Sequence, residues 1–317
     1  MRNITYANKD NKKGEKMKIL LTGATGYIGR QLKEKLLEEK DITLRLYVRS
    51  AKKIKDVDNP QIEVAQGDTF DREALKKAVH GIDTAYYLIH SMGEKGDFKV
   101  LDRVSAENFR DACIEAGVKR IIYLGGLGMK ETASEHLLSR LETGELLSNR
   151  PDKIQTIWFR AAVIIGAGSA SFIILRNLVE KLPVMTTPRW VSTKTQPIAV
   201  GDVISYLAKA KDIKVEGNLV VDIGSEQMSF KDMLLKTAKV MGLKRIIIPV
   251  PVLTPHLSSY WLILFSPVQF PIASALIEGL KSETIIQNDN AKRYFHDIKP
   301  VTFEEAVKLA LKEKACG

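Results

Sequence analysis

The chain has only two cysteines in 317 residues, Cys113 and Cys316. Neither has metal-ligand spacing or an obvious partner, which excludes a disulfide framework and a cysteine-built metal centre and fits a reducing cytoplasm. No metal site is expected. The first sixteen residues lack the apolar core of a secretion signal. They are polar and are expected to form a disordered extension, with the compact fold starting at Met17. The formal net charge is +10, yet no dense basic block with interleaved aromatics is present. Lysine and glutamate alternate through 33–40 and 308–314 instead. The excess therefore reads as a lysine-rich solvated face rather than a nucleic-acid surface, and an anionic cofactor would gain from the positive field. Internal repeats and low-complexity tracts are also missing. With 45% hydrophobic and 27% charged residues, the composition is that of an ordinary globular protein. The length suits one large domain or a large one with a smaller appendage.

One stretch, Ile246 to Ile277, lacks Asp, Glu, Lys and Arg altogether. Its length would allow a membrane span. Pro249, Pro251, Pro255, Pro267 and Pro271 interrupt it, and each removes a helical hydrogen bond. The expectation is a core segment or an apolar lid over a substrate site, with membrane contact at most peripheral. A lid of that kind favours a hydrophobic ligand.

The informative stretch is Met17 to Glu39. Lys18 to Thr22 reads as a buried parallel strand. Gly23-Ala24-Thr25-Gly26-Tyr27-Ile28-Gly29 follows, and then Leu32, Leu36 and Leu37 recur at helical spacing. A strand, a glycine turn and a helix N-terminus make a site for a dinucleotide pyrophosphate. Gly23 permits the turn, Gly26 lets backbone approach phosphate, and Gly29 lets helix and strand pack. The next strand, Ile42 to Val48, ends in Arg49-Ser50 where NAD-preferring sites carry an acid. A guanidinium and a hydroxyl suit a 2′-phosphate, so NADP is expected, with NAD possible. The alternative is an Arg49 that stacks on adenine or points into solvent.

A third strand, 62–68, brings Asp68 beside the expected adenine pocket. Asp68 either takes the adenine amino group or caps a helix over 71–80. Strand four, 83–89, leads into His90, which is either a proton donor or a loop histidine held by backbone. A helix over 98–116 turns Leu101, Val104, Phe109, Ala112 and Cys113 inward and stops at Gly117. Strand five ends in Gly125-Gly126-Leu127-Gly128, glycines that allow close approach of cofactor or substrate. A helix over about 134–148, a strand over 156–165 and helices over about 171–181, 200–210 and 230–241 follow, with a strand at 217–223. Alternation of this kind predicts an α/β fold, a Rossmann doubly wound parallel sheet with ligands at the C-terminal strand ends. Tyr86, Tyr87 and Tyr123 are expected in the core.

The runs TGATGYIG, YVRS, GDTFD, YYLIHSMG, AGVKRIIYLGGLG, RAAVIIGAGSASF and TQPIAVGDV come in this order. Together they resemble the atypical, extended branch of the short-chain dehydrogenase/reductase family. Within it the chain is similar to NAD(P)-binding proteins often labelled nucleoside-diphosphate-sugar epimerases. These are related to nitrogen-metabolite-repressor-like proteins and to the accessory NAD(P)-binding subunit of respiratory complex I. The resemblance covers about 17–312. It implies a Rossmann domain over 17–165 and a smaller substrate-binding domain over 166–317, interleaved with the last Rossmann elements. It implies Gly23, Gly26 and Gly29 on the phosphate turn, with Thr25, Tyr27 and Ile28 against it. Arg49 and Ser50 would meet the adenosine ribose or its phosphate, Asp68 and Thr69 the adenine, and Leu88 and His90 would edge the cofactor.

The departures bear on catalysis. Active members of the wider family use Tyr-x-x-x-Lys after strand five and a serine at that strand's end. Here the register gives His136-Leu137-Leu138-Ser139-Arg140, with Gly125 and Gly126 at the serine position. Four-residue spacing puts His136 and Arg140 on one helix face. Arg140 is then expected to hold the nicotinamide ribose, and His136 either shuttles a proton or faces solvent near the helix start. The first expectation is an NADP(H)-dependent oxidoreductase acting on an apolar carbonyl or quinone-like molecule, as a monomer or homodimer. The alternative is a non-catalytic NAD(P)H-binding sensor or assembly subunit. A sugar epimerase is disfavoured by the absent Tyr-x-x-x-Lys.

Overall fold

The structure, a computed structural model, describes residues 16–90, 97–250, 278–279 and 281–313. The apolar run after Met17 forms β1 (Met17–Thr22), and the leucine-spaced stretch forms α1 (Tyr27–Leu37). Then come β2 (Ile42–Val48), β3 (Ile62–Gln66), α2 (Arg72–Val79), β4 (Thr84–Tyr87), α3 (Phe98–Glu115), β5 (Arg120–Gly126), α4 (Glu135–Ser148) and β6 (Gln155–Ala161). The strand expected over 156–165 breaks after Ala161, and its end becomes β7 (Ile164–Ile165). The chain continues through α5 (Ala170–Lys181), β8 (Val184–Thr187), β9 (Lys194–Thr195), β10 (Ile198–Ala199), α6 (Val200–Lys209) and β11 (Leu219–Ile223). It closes with β12 (Met228–Ser229), α7 (Phe230–Val240), β13 (Ile246–Pro249), α8 (Asn290–Tyr294) and α9 (Phe303–Lys312).

Seven strands pair in parallel in the order β11-β6-β5-β4-β1-β2-β3. Side chains alternate across the sheet, so both faces must be covered. Ile19 and Leu21 of β1 join a core with Leu32 and Leu36 of α1 and Val203 and Leu207 of α6. Leu20, between them, joins the opposite core with Leu75 of α2, Phe109 of α3 and Leu141 of α4. This is the doubly wound Rossmann arrangement. Strand order reverses between β1 and β4, and the crevice at their C-terminal ends is where such sheets bind ligands. A smaller core unites Phe172 and Leu175 of α5, Met233 and Leu234 of α7, and Phe303 and Val307 of α9.

Tyr86, Tyr87 and Tyr123 are buried, as expected. The inward face of α3 differs from expectation. Leu101 and Val104 are only half-buried, while Asp102, Ser105 and Asn108 turn inward beside Phe109, Ala112 and Cys113. Polar partners explain the rotation. Ser105 Oγ lies 2.7 Å from the Tyr87 hydroxyl and donates to Thr69 Oγ1 at 2.7 Å, and Asn108 Nδ2 donates to the Thr69 carbonyl at 3.0 Å. The expected N-terminal extension lies outside the described residues, apart from Lys16. So does most of the uncharged stretch after β13. Among the described residues no helix is long and apolar enough to cross a membrane.

Candidate functional site

At the switch point the chain leaves β1 through a glycine corner. Gly23 has φ of +69°, and a Cβ there would sit 2.4 Å from the Leu88 carbonyl oxygen. A Cβ at Gly29 would lie 2.1 Å from the Gly23 carbonyl oxygen, so this glycine lets α1 close on the strand. Thr22 Oγ1 donates to the Tyr86 carbonyl at 2.9 Å and accepts from Leu88 N–H at 3.0 Å, tying the ends of β1 and β4 together. Gly26 is the N-cap of α1. No side chain caps the helix, and its first turn holds no acid. Thr25 and Gly26 are exposed. The amides of the first turn of α1 therefore have no side-chain partner, and the positive end of the helix dipole opens beside exposed residues. A diphosphate fits this corner.

Ile28 packs half-buried on the α1 side of the sheet. The Tyr27 ring turns toward the loop after β7. A Cβ at Gly168 would meet it at 2.6 Å, and its hydroxyl donates to Glu313 Oε2 at 3.4 Å. Burial pushes the Tyr27 phenol above its ordinary value. Arg49 is exposed and Ser50 half-buried at the end of β2, where no acid stands. Asp68 does not cap the next helix. Asp71 does, accepting from Glu73 N–H at 3.1 Å and Ala74 N–H at 3.0 Å. The Asp68 carboxylate accepts from Phe70 N–H at 3.1 Å, and its carbonyl takes the Tyr47 hydroxyl at 2.7 Å. The Thr69 hydroxyl accepts from Ser105 and its carbonyl from Asn108, so its backbone N–H and its hydroxyl proton remain for a base.

The other end of the crevice is built by β4, α3 and α4. His90 is held by a carboxylate rather than by backbone, with Nδ1 3.0 Å from Asp102 Oδ2. Ser139 Oγ donates to the same oxygen at 2.9 Å. His136 does not face solvent. Its ring stacks on Phe98 at 4.3 Å and meets the His90 ring edge-on at 6.5 Å. Burial lowers the His136 pKa below its ordinary 6.5, and the neighbouring His90 adds to the effect. Arg140 Nη2 donates to the Leu124 carbonyl at 2.9 Å. His90 Nε2, His136 Nδ1 and Arg140 Nε are buried without hydrogen-bond partners. An unmade bond of this kind costs about 1–3 kcal/mol.

Gly125 lies near the end of β5. A Cβ there would lie 2.5 Å from Trp158 Nε1 and 2.9 Å from Tyr123 Cε1, so the missing side chain makes room for an indole. The space at Gly126 is taken by Leu137, with a Cβ 2.5 Å from its Cδ1. Asp102, Ser139 and Phe98 were not among the residues expected here. The available signal was an acid on the same helical stripe as Ser105 and Phe109. Among the described residues no three His, Cys, Asp or Glu side chains gather to hold a metal ion.

Residues 23–154 match the profile of a family described as NAD(P)H-binding, and this segment is an NAD(P)H-binding domain. The chain is 30% identical over 122 residues to the (4-alkanoyl-5-oxo-2,5-dihydrofuran-3-yl)methyl phosphate reductase of Streptomyces griseus, a match covering 38% of this chain and 39% of that protein. Sequence matches to curated relatives thus span well under half of their lengths. Similarity of fold extends further. A Citrobacter triphenylmethane reductase aligns over 94% of this chain and all of its own, with TM-score 0.76 and 22% identity. The same enzyme complexed with NADP(H) aligns over 93% of this chain and 100% of its own, with TM-score 0.74 and 21% identity. An NADPH-dependent quinone oxidoreductase of Escherichia coli aligns over 92% and 98%, with TM-score 0.73 and 17% identity.

Proposed function

We propose that the protein is an oxidoreductase that uses NADPH to reduce an apolar carbonyl-bearing or quinone-like small molecule. The observation that carries this reading is the uncapped glycine corner opening α1, with Arg49 rather than an acid at the end of the neighbouring strand. The fold it shares with reductases of dyes and quinones supports it. Amides of Thr25 and the first turn of α1 hold the pyrophosphate, while the Gly26 N–H closes the corner on the Gly23 carbonyl at 2.9 Å. Arg49 and Ser50 take the 2′-phosphate, Asp68 and the Thr69 backbone the adenine, and Leu88 walls the cofactor. Arg140 approaches the nicotinamide ribose, and the His90–His136 pair stands at the reacting end. The bound dinucleotide supplies a hydride, and the protein's part is to orient the reactants and deliver a proton.

One observation favours a second reading, a non-catalytic NAD(P)H sensor or assembly subunit. The residue in the register of the family's tyrosine is a histidine stacked on Phe98, and Arg140 is bonded to a strand carbonyl. Incubation with NADPH and a panel of quinones and aldehydes separates the two. Turnover supports the enzyme, and tight NADPH binding without turnover of any panel member supports the sensor. For the cofactor, Arg49→Asp is expected to weaken NADPH at least about tenfold while NADH changes little, because a bidentate guanidinium–phosphate contact is lost and a like charge introduced. Equal affinity of the parent for NADPH and NADH overturns the NADP assignment.

A further inference from the structure

Among the described residues, His90 Nε2 and His136 Nδ1 are buried without hydrogen-bond partners, on rings 6.5 Å apart, and Arg140 Nε, one turn further along α4, is a third such atom. Interiors rarely leave such atoms unsatisfied, and a pair of them at the ligand end of a parallel sheet suits a polar atom of a bound ligand. We propose that His90 delivers the proton of the reduction through Nε2, and that Asp102, backed by Ser139, is its positioning residue. This rests on the oxidoreductase reading and replaces His136 as the expected proton carrier.

The geometry distinguishes the two histidines. Asp102 Oδ2 stands 3.0 Å from His90 Nδ1, and the Asp102 side chain is 5% exposed. In this proposal Asp102 is the ionised partner and accepts from Nδ1–H, which leaves Nε2 as the working nitrogen. Ser139 donates to the same carboxylate oxygen at 2.9 Å and anchors it to α4. His90 lies two residues beyond Leu88, whose carbonyl overhangs the Gly23 corner. On its other side is the His136 ring, edge-on at 6.5 Å. His90 thus stands between the phosphate corner and α4. His136 is stacked on Phe98 and kept neutral by burial and by His90. It is a wall and a polar neighbour, less suited to giving up a proton. Among the described residues, the titratable groups that face His90 are Asp102 on α3 and His136 on α4. Glu135, paired with Lys99 at 3.0 Å, and Glu278 lie close enough to act on His136.

The step balances simply. Hydride from the reduced nicotinamide forms the new C–H bond at the carbonyl carbon. His90 would enter the step as the imidazolium, with a proton on each ring nitrogen; its Nε2–H bond would break as an O–H bond forms at the former carbonyl oxygen, leaving alcohol, oxidised dinucleotide and a neutral imidazole. The imidazole then regains its proton from solvent, with its Nδ1 proton still held by Asp102.

The test has two arms. In the first, the parent protein is assayed with NADPH and the quinone and aldehyde panel. Absence of turnover on every member removes the oxidoreductase reading, and this proposal with it. With a turned-over substrate, kcat is measured against pH for His90→Gln, Asp102→Asn and His136→Gln, with NADPH Kd from fluorescence titration. His90→Gln is expected to lower kcat about 10²–10⁴-fold and to erase the pH limb seen in the parent, with Kd within about twofold. Asp102→Asn is expected to lower kcat at least about tenfold and to displace that limb. His136→Gln keeps the limb, whatever it does to kcat. A limb that survives His90→Gln, or that only His136→Gln removes, overturns the proposal while leaving the oxidoreductase reading standing. The second arm is nitrogen NMR of the histidine rings in the protein without cofactor. In the parent the ring nitrogen shifts of His90 are expected to report a proton held on Nδ1, and the same tautomer balance in Asp102→Asn overturns the dyad. Circular dichroism melts of each variant identify any loss of kcat that comes from misfolding.

Discussion

At the residue scale the His136 ring couples folding to pH. Its burial against Phe98, with His90 beside it, holds its folded pKa below the ordinary 6.5. Between the folded value and 6.5 the unfolded chain binds more protons than the folded one. Stability from this group is therefore present above about 6.5 and is lost as pH falls through the folded value. His136→Gln removes the term. Urea midpoints measured from about pH 7 down to about pH 5 are expected to fall for the parent and to fall less for the variant. Parallel curves would show that His136 titrates as in the unfolded chain. The same packing explains why this histidine defeats a reading by spacing alone. Four-residue spacing correctly puts it on one helix face with Arg140. Whether that face meets solvent or Phe98 depends on where α3 begins in space.

At the element scale α4 matters most, because it carries His136, Ser139 and Arg140. Its seat is set by Trp158 of β6. A Cβ at Gly144 of α4 would stand 2.2 Å from Trp158 Cε2 and 2.3 Å from Cζ2. A Cβ at Gly125 of β5 would stand 2.5 Å from the indole nitrogen. The indole is therefore boxed between a helix glycine and a strand glycine. Two effects oppose each other in Gly144→Ala. Alanine is better than glycine inside a helix by about 0.5–1 kcal/mol. Forcing a methyl into a filled interior costs about 1–3 kcal/mol. The second wins, since a ring held on both sides cannot retreat as a flexible chain end would. Gly144→Ala is expected to lower Tm and, by tilting α4, to weaken NADPH binding. In a Trp158→Leu background the same change is expected to cost less, and the difference is the coupling between the two sites. Equal costs in both backgrounds would place the constraint elsewhere.

The elements also show where a sequence speaks and where it stops. Strands β1 to β5 and the helices between them are legible because apolar runs and helical spacing report burial locally. The phosphate corner is legible because Gly23 sits at positive φ and Gly29 has no room for a Cβ, so two of its three glycines are dictated by the backbone. Gly125 and Gly126 announce that something comes close, but not what. Trp158 and Leu137 fill those spaces, and nothing local to β5 says so. Asp102 is hidden for a related reason, since an acid on an inward stripe gains meaning only with His90 and Ser139 in place. Helix α9 had a readable signal. Thr302 caps it, and Phe303, Ala306, Val307 and Ala310 follow helical spacing. The lysine–glutamate alternation at 308–314 masks that signal as solvated surface.

At the scale of the whole molecule, the question is whether the segment after β7 is an appendage or part of one body. Strand β11 extends the main sheet beside β6, and α6 packs over the same face as α1. The chain then returns to seal that face. Phe295, just after α8, is fully buried, 5.4 Å from the Phe159 ring of β6 and 5.4 Å from the Tyr206 ring of α6. Asn290 Nδ2 donates to the Val220 carbonyl at 2.8 Å, and Gln287 N–H donates to Asp222 Oδ2 at 2.7 Å. Asp222 is itself gripped by Arg160 at 2.6 and 3.0 Å. Removing a buried phenyl ring costs about 3–5 kcal/mol. If the body is cooperative, that loss reaches the glycine corner as well. Phe295→Ala is expected to lower Tm by at least about 5 °C in a single transition. Far-ultraviolet dichroism, tryptophan fluorescence and release of bound NADPH should follow that transition together. An independent appendage predicts the opposite pattern, in which the variant loses part of its dichroism early while NADPH is released at the parental temperature.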